Sequence, residues 1–199
     1  HLAPALPDVE MLPVCADFTR PVQLPTPARP ATGRLVFFPG STLGNFTEED
    51  AVQLLKAMRQ TMGEAGRALI GIDLHKDAAL IEAAYNDAQG VTAAFTLNLL
   101  ERLNREIGSD FDLQGFEHRA RYNTDQLRIE TDLVSLRGQD VHLDGRRFHF
   151  EEGEPIRVEY SHKYTDASFE HLVARAGLAV DARWNAADPA FGLRLLRPA

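Results

Sequence analysis

Two polar side chains in the segment 156–161 have the chemistry needed to bind a neutral imidazole ring. Glu159 and Ser161 are two residues apart, so on a β-strand both side chains lie on the same face. An imidazole carries one N–H donor and one bare nitrogen acceptor, whereas an ionised carboxylate only accepts and a hydroxyl can donate. The alternative is the ordinary polar face of an amphipathic strand, on which Lys163 could pair with Glu159.

The turn 40–45, with the sequence GSTLGN, is a second candidate site. In open α/β sheets, ligands bind outside the carboxyl ends of the strands, where loops lead into helices. Gly40 lets the backbone approach a ligand closely, and Asn45 offers both a carbonyl acceptor and an amide donor. Asn45 could equally be a turn or helix-capping residue, because its side chain bonds readily to nearby backbone.

Three further side chains could bind a ligand. Asp17 and Phe18 could hold an adenine, because the carboxylate accepts from the exocyclic amine and the ring offers a flat face. The alternative is a turn aspartate followed by a core phenylalanine. Tyr85 could donate its hydroxyl to a carboxylate, or it could be a semi-buried structural residue. The histidines lack metal-ligand spacing and the sequence shows no nucleophile and base pair, so we expect no metal site and no covalent hydrolysis.

The elements that carry these residues predict an α/β fold. A compact apolar strand at 34–38 is expected to be buried on both faces, and a second buried strand is expected at 68–73. Between them, Thr47 is typical of a helix N-cap, with Asp50 in the capping-box position, and 63–66 ends the helix. A strand, a helix and a strand within forty residues predict a right-handed parallel crossover.

The rest of the chain alternates between helical and extended patterns. An amphipathic helix is expected at 91–107, because apolar residues recur at every fourth position from Phe95 to Ile107. The other expected elements are a short strand at 11–16, a helix from Asp77 to Tyr85, antiparallel strands within 110–164 that include 127–133 and 156–161, a helix at 168–175, a strand through Trp184, a turn at Asp188-Pro189 and a last strand at 191–196.

Composition limits the class of protein. The 199 residues are 44% hydrophobic and 25% charged, which is typical of a globular domain with a substantial core. A net charge of −8 with scattered Lys and Arg disfavours a nucleic-acid partner and favours a small molecule. The single cysteine, Cys15, is expected to be buried and excludes an intramolecular disulfide, which suits the cytoplasm. No apolar run reaches membrane-spanning length, and a start at His1 rather than Met suggests a fragment or a processed chain.

The ordered set of segments resembles the histidine-specific Nα-methyltransferases of ergothioneine biosynthesis. The matching segments, spread over most of the chain from residue 14 onward, are FPGSTLGNF at 38–46, IDLHKD at 72–77, AYNDAQGVTAAF at 84–95, LNREIGSDFD at 103–112, RIE at 128–130, GEPIRVEYSHKY at 153–164 and the late AGL and Trp184 elements. Neither a glycine-rich cofactor loop nor a ribose-binding acidic residue precedes Asp17, so the resemblance lacks the N-terminal part of the family. Thr131 stands where the family usually has Met, which can alter the fit of a substrate.

The resemblance implies a Rossmann-like class I methyltransferase core, of which this chain holds the C-terminal part, with an antiparallel α+β substrate-binding insertion. Residues 1–109 would form the partial core with linking helices, 110–165 the insertion, and 166–199 a helix and strand pair completing the core. The implied cofactor is S-adenosyl-L-methionine. Asp17 and Phe18 would hold its adenine, and Gly40 would line the floor near the substrate amine.

The implied activity is methyl transfer to the α-amino group of L-histidine and its methylated forms, giving trimethylhistidine. Asn45 would bind the α-amino end, Tyr85 the carboxylate, and Glu159 with Ser161 the imidazole. No side chain is assigned a catalytic acid or base role, because in-line methyl transfer depends mainly on positioning. Two alternatives are a non-catalytic methyltransferase-like binding module and an N-methyltransferase of another amino acid.

Overall fold

The structure, a computed structural model, describes residues 5–186 and 190–199 and separates the chain into two compact units. The first unit comprises residues 1–74 and 164–199, and the second comprises 75–163. The strands are β1 (Leu35–Phe38), β2 (Arg67–Asp73), β3 (Phe116–Asn123), β4 (Arg128–Ser135), β5 (Gln139–Leu143), β6 (Arg146–Phe150), β7 (Pro155–His162), β8 (Leu178–Asn185) and β9 (Phe191–Pro198). The helices are α1 (Glu48–Met62), α2 (Ala78–Tyr85), α3 (Val91–Ile107) and α4 (Asp166–Arg175).

The units have their boundaries at 74/75 and 163/164, so α2 and α3 belong to the second unit together with the strands β3 to β7. The division into a partial core, a substrate-binding insertion and a completing segment at 109/110 and 165/166 concerns function and stays a prediction. The expected turn at Asp188-Pro189 lies outside the described residues.

The first unit is built on a four-stranded sheet in the order β1-β2-β9-β8. β1 and β2 are parallel and are joined through α1, which confirms the predicted parallel crossover and the α/β class. β9 runs antiparallel to both β2 and β8. The carboxyl ends of β1 and β2 therefore meet at one edge of this sheet, where the turn 40–45 begins.

Local capping explains where α1 begins and ends. The Thr47 hydroxyl accepts a hydrogen bond from the Asp50 amide at 3.2 Å, as the sequence predicts. The expected return bond of a capping box is not formed; the Asp50 carboxylate instead accepts from the Thr47 hydroxyl at 2.6 Å. Gly63 ends the helix with φ +69°, a positive value that side chains other than that of glycine rarely adopt.

The core of the first unit lies between its sheet and the helices α1 and α4. Its fully buried side chains include Leu55 of α1, Ile70 and Ile72 of β2, and Phe169 of α4. Arg194 of β9 is also buried, with 1% of its surface exposed. Its guanidinium donates to Asp166 Oδ1 and to Asn185 Oδ1, each at 2.7 Å, as well as to nearby backbone carbonyls. A buried cation needs such partners, and these ones join α4 to the end of β8.

Strand β1 is not buried on both faces, so that prediction is wrong. Val36 and Phe38 pack against the core, whereas the alternate residues Leu35 and Phe37 are 60% and 62% exposed. A strand is buried on both faces only when elements cover both, and within the described residues the helix α1 and the core cover one face of β1.

The segment 11–16 is also not a strand. Residues 5–33 contain no strand, and Cys15, expected in the core, is exposed. The apolar pattern there is interrupted by Pro13, which has no backbone N–H to donate to a neighbouring strand.

The second unit combines two helices with antiparallel strands, and these strands confirm the antiparallel pattern predicted within 110–164. Strands β3, β4 and β7 form one sheet in that order, and β5 pairs with β6. Ile81 of α2 packs with Ile129 of β4, while Leu100 of α3 packs with Phe116 and Leu133. The core therefore lies on one face of the β3-β4-β7 sheet, which α2 and α3 cover.

Helix α3 has the predicted bounds, but its buried face differs from the predicted stripe. Phe95 and Ile107 are 74% and 53% exposed, whereas Thr96 and Leu100 are buried. Successive steps of four residues in a helix with 3.6 residues per turn rotate by about 40° each, so a stripe from 95 to 107 turns through about 120°. Such a stripe cannot keep all its members against one surface. Among the described residues, no helix has the length and apolarity needed to cross a membrane.

We predict that Leu55→Ala lowers the free energy of unfolding of the first unit by about 2–5 kcal/mol, because Leu55 is fully buried and its loss leaves a cavity. Leu35→Ala is the matched control: the same atoms are removed from a side chain that is 60% exposed, and the expected loss is under about 1 kcal/mol. Urea unfolding followed by circular dichroism measures both. Equal losses would contradict the assignment of the core.

Candidate functional site

The second unit brings two of the predicted site residues into direct contact. The Tyr85 hydroxyl lies 2.7 Å from Ser161 Oγ, in hydrogen-bonding geometry. Lys163 Nζ donates to the Tyr85 hydroxyl at 2.9 Å and to Ser161 Oγ at 2.8 Å, and lies 4.8 Å from the centre of the Tyr85 ring. Lys163 is 2% exposed and Ser161 is 7% exposed. The structure thus adds a buried ammonium that sequence reasoning treated only as a partner of Glu159.

Helix α2 positions Tyr85 as its last residue. Asp77 caps the helix by accepting from the Ala79 and Leu80 amides, as predicted. Its other end is bonded to β3, because Glu82 accepts from the Tyr122 amide at 2.8 Å and His118 Nε2 lies 2.9 Å from the Tyr85 carbonyl oxygen. These bonds hold the end of α2 against β3 and so set the position from which the Tyr85 side chain extends toward β7.

Glu159 lies on β7, on the same strand face as Ser161, in register with Thr131 of β4. Its side chain is half-buried, and burial raises the pKa of the Glu159 carboxyl above its ordinary value, while the positive charge of Lys163 acts in the opposite direction. Among the described residues the carboxylate has no hydrogen-bonding partner. It is therefore a partly desolvated acceptor whose lone pairs are open to a ligand.

Thr131 places a second polar group beside Glu159. It is 3% exposed, and within the described part of the chain its hydroxyl is buried without a hydrogen-bond partner. A buried hydroxyl without a partner costs free energy, so its presence on this face needs an explanation. A ligand group that bonds to it would supply one.

In the first unit, the turn 40–45 is held by backbone geometry. Gly40 and Ser41 both have left-handed conformations, with φ +84° and +58°. The Ser41 hydroxyl accepts from the Asp73 amide at 2.9 Å, which ties the turn after β1 to the end of β2. Gly71 permits the close approach: a Cβ there would lie 3.0 Å from the Gly40 nitrogen and 2.8 Å from the Phe191 ring. Sequence reasoning missed Ser41 and Gly71, and a glycine inside the buried strand β2 was the available signal.

Asn45 ends a short 3-10 helix (Thr42–Asn45) and is exposed. It is not the N-cap of α1, because Thr47 has that role. In the part of the chain that the structure describes, no hydrogen bond engages the Asn45 side chain. Its amide is therefore free to bind a ligand at the edge of the sheet where β1 and β2 end.

Phe18 lies at the same end of β1 as the turn. Its ring is 50% exposed and its centre lies 5.8 Å from that of Phe38 and 6.4 Å from that of Phe46. The neighbouring Asp17 accepts from both the amide and the hydroxyl of Thr19, and these bonds lower the pKa of the Asp17 carboxyl. The first unit thus brings an ionised carboxylate, which also pairs with Arg20, an exposed flat ring and the turn 40–45 toward one strand end.

We predict that Thr131→Val raises the free energy of unfolding by about 1 kcal/mol, since it removes a buried hydroxyl that has no partner among residues 5–186 and 190–199 and keeps the shape of the side chain. The matched control is Thr96→Val in α3. Thr96 is as buried, at 4% exposed, but its hydroxyl donates to the Thr92 carbonyl at 2.9 Å, so that substitution should lower stability by about 1 kcal/mol. Urea titration measures both, and destabilisation of similar size in the two variants would show that Thr131 has an internal partner.

Comparison with known proteins identifies the family. The chain is 39% identical over 194 residues to a histidine N-alpha-methyltransferase of Mycolicibacterium smegmatis, covering 95% of this chain and 59% of that protein. It is 31% identical over 156 residues to an L-tryptophan methyltransferase of Psilocybe serbica, covering 75% of this chain and 42% of that protein. A solved structure of an S-adenosylmethionine-dependent methyltransferase from Clostridium acetobutylicum covers 94% of this chain and 64% of that chain at 10% identity, with a TM-score of 0.44.

This chain therefore spans about three fifths of the length of the Mycolicibacterium protein. The profile of the histidine-specific methyltransferases that depend on S-adenosylmethionine matches residues 1–198. Together with the parallel and antiparallel strands of the first sheet, this match confirms the predicted methyltransferase α/β core. The chain belongs to the family of histidine-specific, S-adenosylmethionine-dependent methyltransferases.

Proposed function

We propose that this chain belongs to an enzyme that transfers a methyl group from S-adenosylmethionine to the α-amino group of L-histidine, in the ergothioneine pathway. The observation that carries the proposal is the pairing on β7 of Glu159, a half-buried carboxylate without a hydrogen-bonding partner in the described part of the chain, with Ser161, a buried hydroxyl. The family of the chain and the name of its Mycolicibacterium relative support the same substrate.

The imidazole is the part of histidine that Glu159 and Ser161 would bind. A neutral imidazole offers one N–H and one bare nitrogen, so the Glu159 carboxylate accepts from the N–H while the Ser161 hydroxyl donates to the bare nitrogen. Tyr85 would donate its hydroxyl to the substrate carboxylate. In the structure this hydroxyl is bonded to Ser161, so ligand binding exchanges the bond between the two hydroxyls for two bonds to histidine.

The first unit would supply the cofactor site and the amine site. Asp17 would accept from the exocyclic amine of the adenine, Phe18 would contact its face, and Gly40 would let the backbone approach near the substrate amine. Bound S-adenosylmethionine supplies an electrophilic methyl group on sulfur. Asn45 would orient the α-amino group in its neutral form, because an amide stabilises an ammonium less than a carboxylate does. Such a transfer needs an attacking nitrogen held about 3–3.5 Å from the methyl carbon.

A second candidate is the N-methylation of another amino acid, which the likeness to the tryptophan methyltransferase of Psilocybe serbica favours. An indole has an N–H but no bare ring nitrogen, so Glu159 could be satisfied while the hydroxyl of Ser161 would lack an acceptor on the ring. A panel of histidine, tryptophan and their partly methylated forms separates the two candidates. A non-catalytic binding module would bind S-adenosylhomocysteine or histidine in calorimetry without turnover of any member of that panel.

The proposal extends to the class of partner and to the location of the protein in the cell. A small-molecule substrate suits a chain with a net charge of −8, which disfavours binding to nucleic acid. A location in the cytoplasm suits a chain with one cysteine.

We predict that Glu159→Ala lowers kcat/KM for histidine by about tenfold to hundredfold, the loss of one charge-assisted hydrogen bond, and that Asn45→Ala lowers it by about threefold to tenfold, the loss of one neutral hydrogen bond. Methyl transfer from S-adenosylmethionine to histidine is measured with the full-length protein that the gene encodes. Glu152→Ala, which removes an exposed carboxylate from the loop before β7, is the control and should change kcat/KM less than twofold, within about 0.4 kcal/mol. Unchanged kinetics in both site variants would refute the assignment of these residues.

A further inference from the structure

We infer that Lys163 is a positioning residue for recognition of the substrate ring: its buried ammonium forces the hydroxyls of Ser161 and Tyr85 to act as donors toward the ligand and balances the charge of Glu159. The inference rests on the proposed function for the identity of the ligand. It begins from three contacts within the second unit, those that join Lys163 Nζ, the Tyr85 hydroxyl and Ser161 Oγ at 2.7 to 2.9 Å.

The direction of these bonds follows from what each group can do. An ammonium has three hydrogens and no lone pair, so Lys163 can only donate to the two hydroxyl oxygens. It can therefore never take up a hydroxyl hydrogen. Without a ligand, one hydroxyl donates to the other, as the 2.7 Å contact between Tyr85 and Ser161 indicates.

Ligand binding keeps Lys163 as a donor to both oxygens and breaks the bond between the two hydroxyls, so both hydroxyl hydrogens can point to the ligand. Ser161 can then donate to the bare ring nitrogen while Tyr85 donates to the carboxylate. A neutral side chain with an acceptor atom at position 163 would capture one of these hydrogens and remove one ligand bond. Because Lys163 can only donate, both hydroxyls remain able to donate their hydrogens to the ligand.

Lys163 also influences Glu159, the hydrogen-bond acceptor of the proposed site. Burial raises the pKa of the Glu159 carboxyl, and the Lys163 charge is the electrostatic influence that lowers it. The other titratable groups that α2 and β3 place around this face are Glu82 and Tyr85 of α2 and His118 and Tyr122 of β3, with His75 bonded to the Tyr122 hydroxyl. Without the ammonium, Glu159 should bind its proton more tightly and accept less readily from a ring N–H near neutral pH.

The substitutions that test this inference differ in hydrogen-bonding character. Lys163→Met keeps the length of the side chain without any donor, Lys163→Gln adds an acceptor, and Lys163→Arg keeps a side chain that only donates. Lys163→Gln also keeps a polar group in the buried position, so the test stands even if Lys163→Met does not fold. Calorimetry with the gene-encoded protein and S-adenosylhomocysteine compares histidine with thienylalanine, a ligand of similar shape that lacks both ring nitrogens.

We expect the two neutral variants to lose affinity for histidine but not for thienylalanine. Lys163→Gln and Lys163→Met should weaken histidine binding by about tenfold to hundredfold, with little change for thienylalanine, and Lys163→Arg should retain more of the preference for histidine. Equal weakening for both ligands, or an unchanged preference in Lys163→Gln, would overturn the inference. If the unsubstituted protein binds no histidine, the proposed function fails instead.

A second measurement does not depend on any ligand. Titration of Glu159 by carboxyl ¹³C NMR should show a higher pKa in Lys163→Met or Lys163→Gln than in the unsubstituted protein, because the lowering charge has been removed. A merely structural role for Lys163 predicts no such change in a variant that remains folded. An unchanged titration of Glu159 would refute the electrostatic part of the inference.

Discussion

A charge removed from water must be surrounded by groups that can bond to it, and in the second unit that charge is the ammonium of Lys163. An isolated ion in such a place costs several kcal/mol, so the elements around it are arranged to supply acceptors. Helix α2 ends at Tyr85, and β7 brings Ser161 within hydrogen-bonding distance. The bonds from α2 to β3 then fix the helix end against the sheet. Tyr85 and Ser161, proposed to bind the carboxylate and the ring of the substrate, are thus both bonded to one buried ammonium.

The first unit contains a buried cation with its own partners and a turn that is held without any charge. Arg194 is a buried cation with side-chain partners in α4 and β8, so it fixes the edge of the sheet far from β1 in strand order. The turn 40–45 contains no charge and depends instead on left-handed backbone and on the bond from the Asp73 amide to Ser41. A site for a neutral amine is consistent with the second arrangement, because it offers hydrogen bonds without a strong field.

Features set by neighbouring residues along the chain could be predicted from the sequence. The caps at Thr47 and Asp77, the bounds of α3 and the antiparallel character of 110–164 all follow from short-range spacing. The exposed face of β1 and the buried face of α3 could not, because burial depends on which elements cover a surface. The same limit applies to the site: periodicity placed Glu159 and Ser161 on one face, but only the tertiary fold brings Tyr85, 76 positions away in sequence, to Ser161.

Gly71 couples the sequence of the strand β2 to the sequence of the turn 40–45. Its missing side chain leaves the room in which the backbone of Gly40 approaches β2, and any larger residue would press on that backbone and on Phe191. Variation in the turn 40–45 and variation in the middle of β2 are therefore epistatic: a change in one alters which changes the other tolerates. A library that diversifies the turn to accept new amines should hold position 71 constant, or vary the two together.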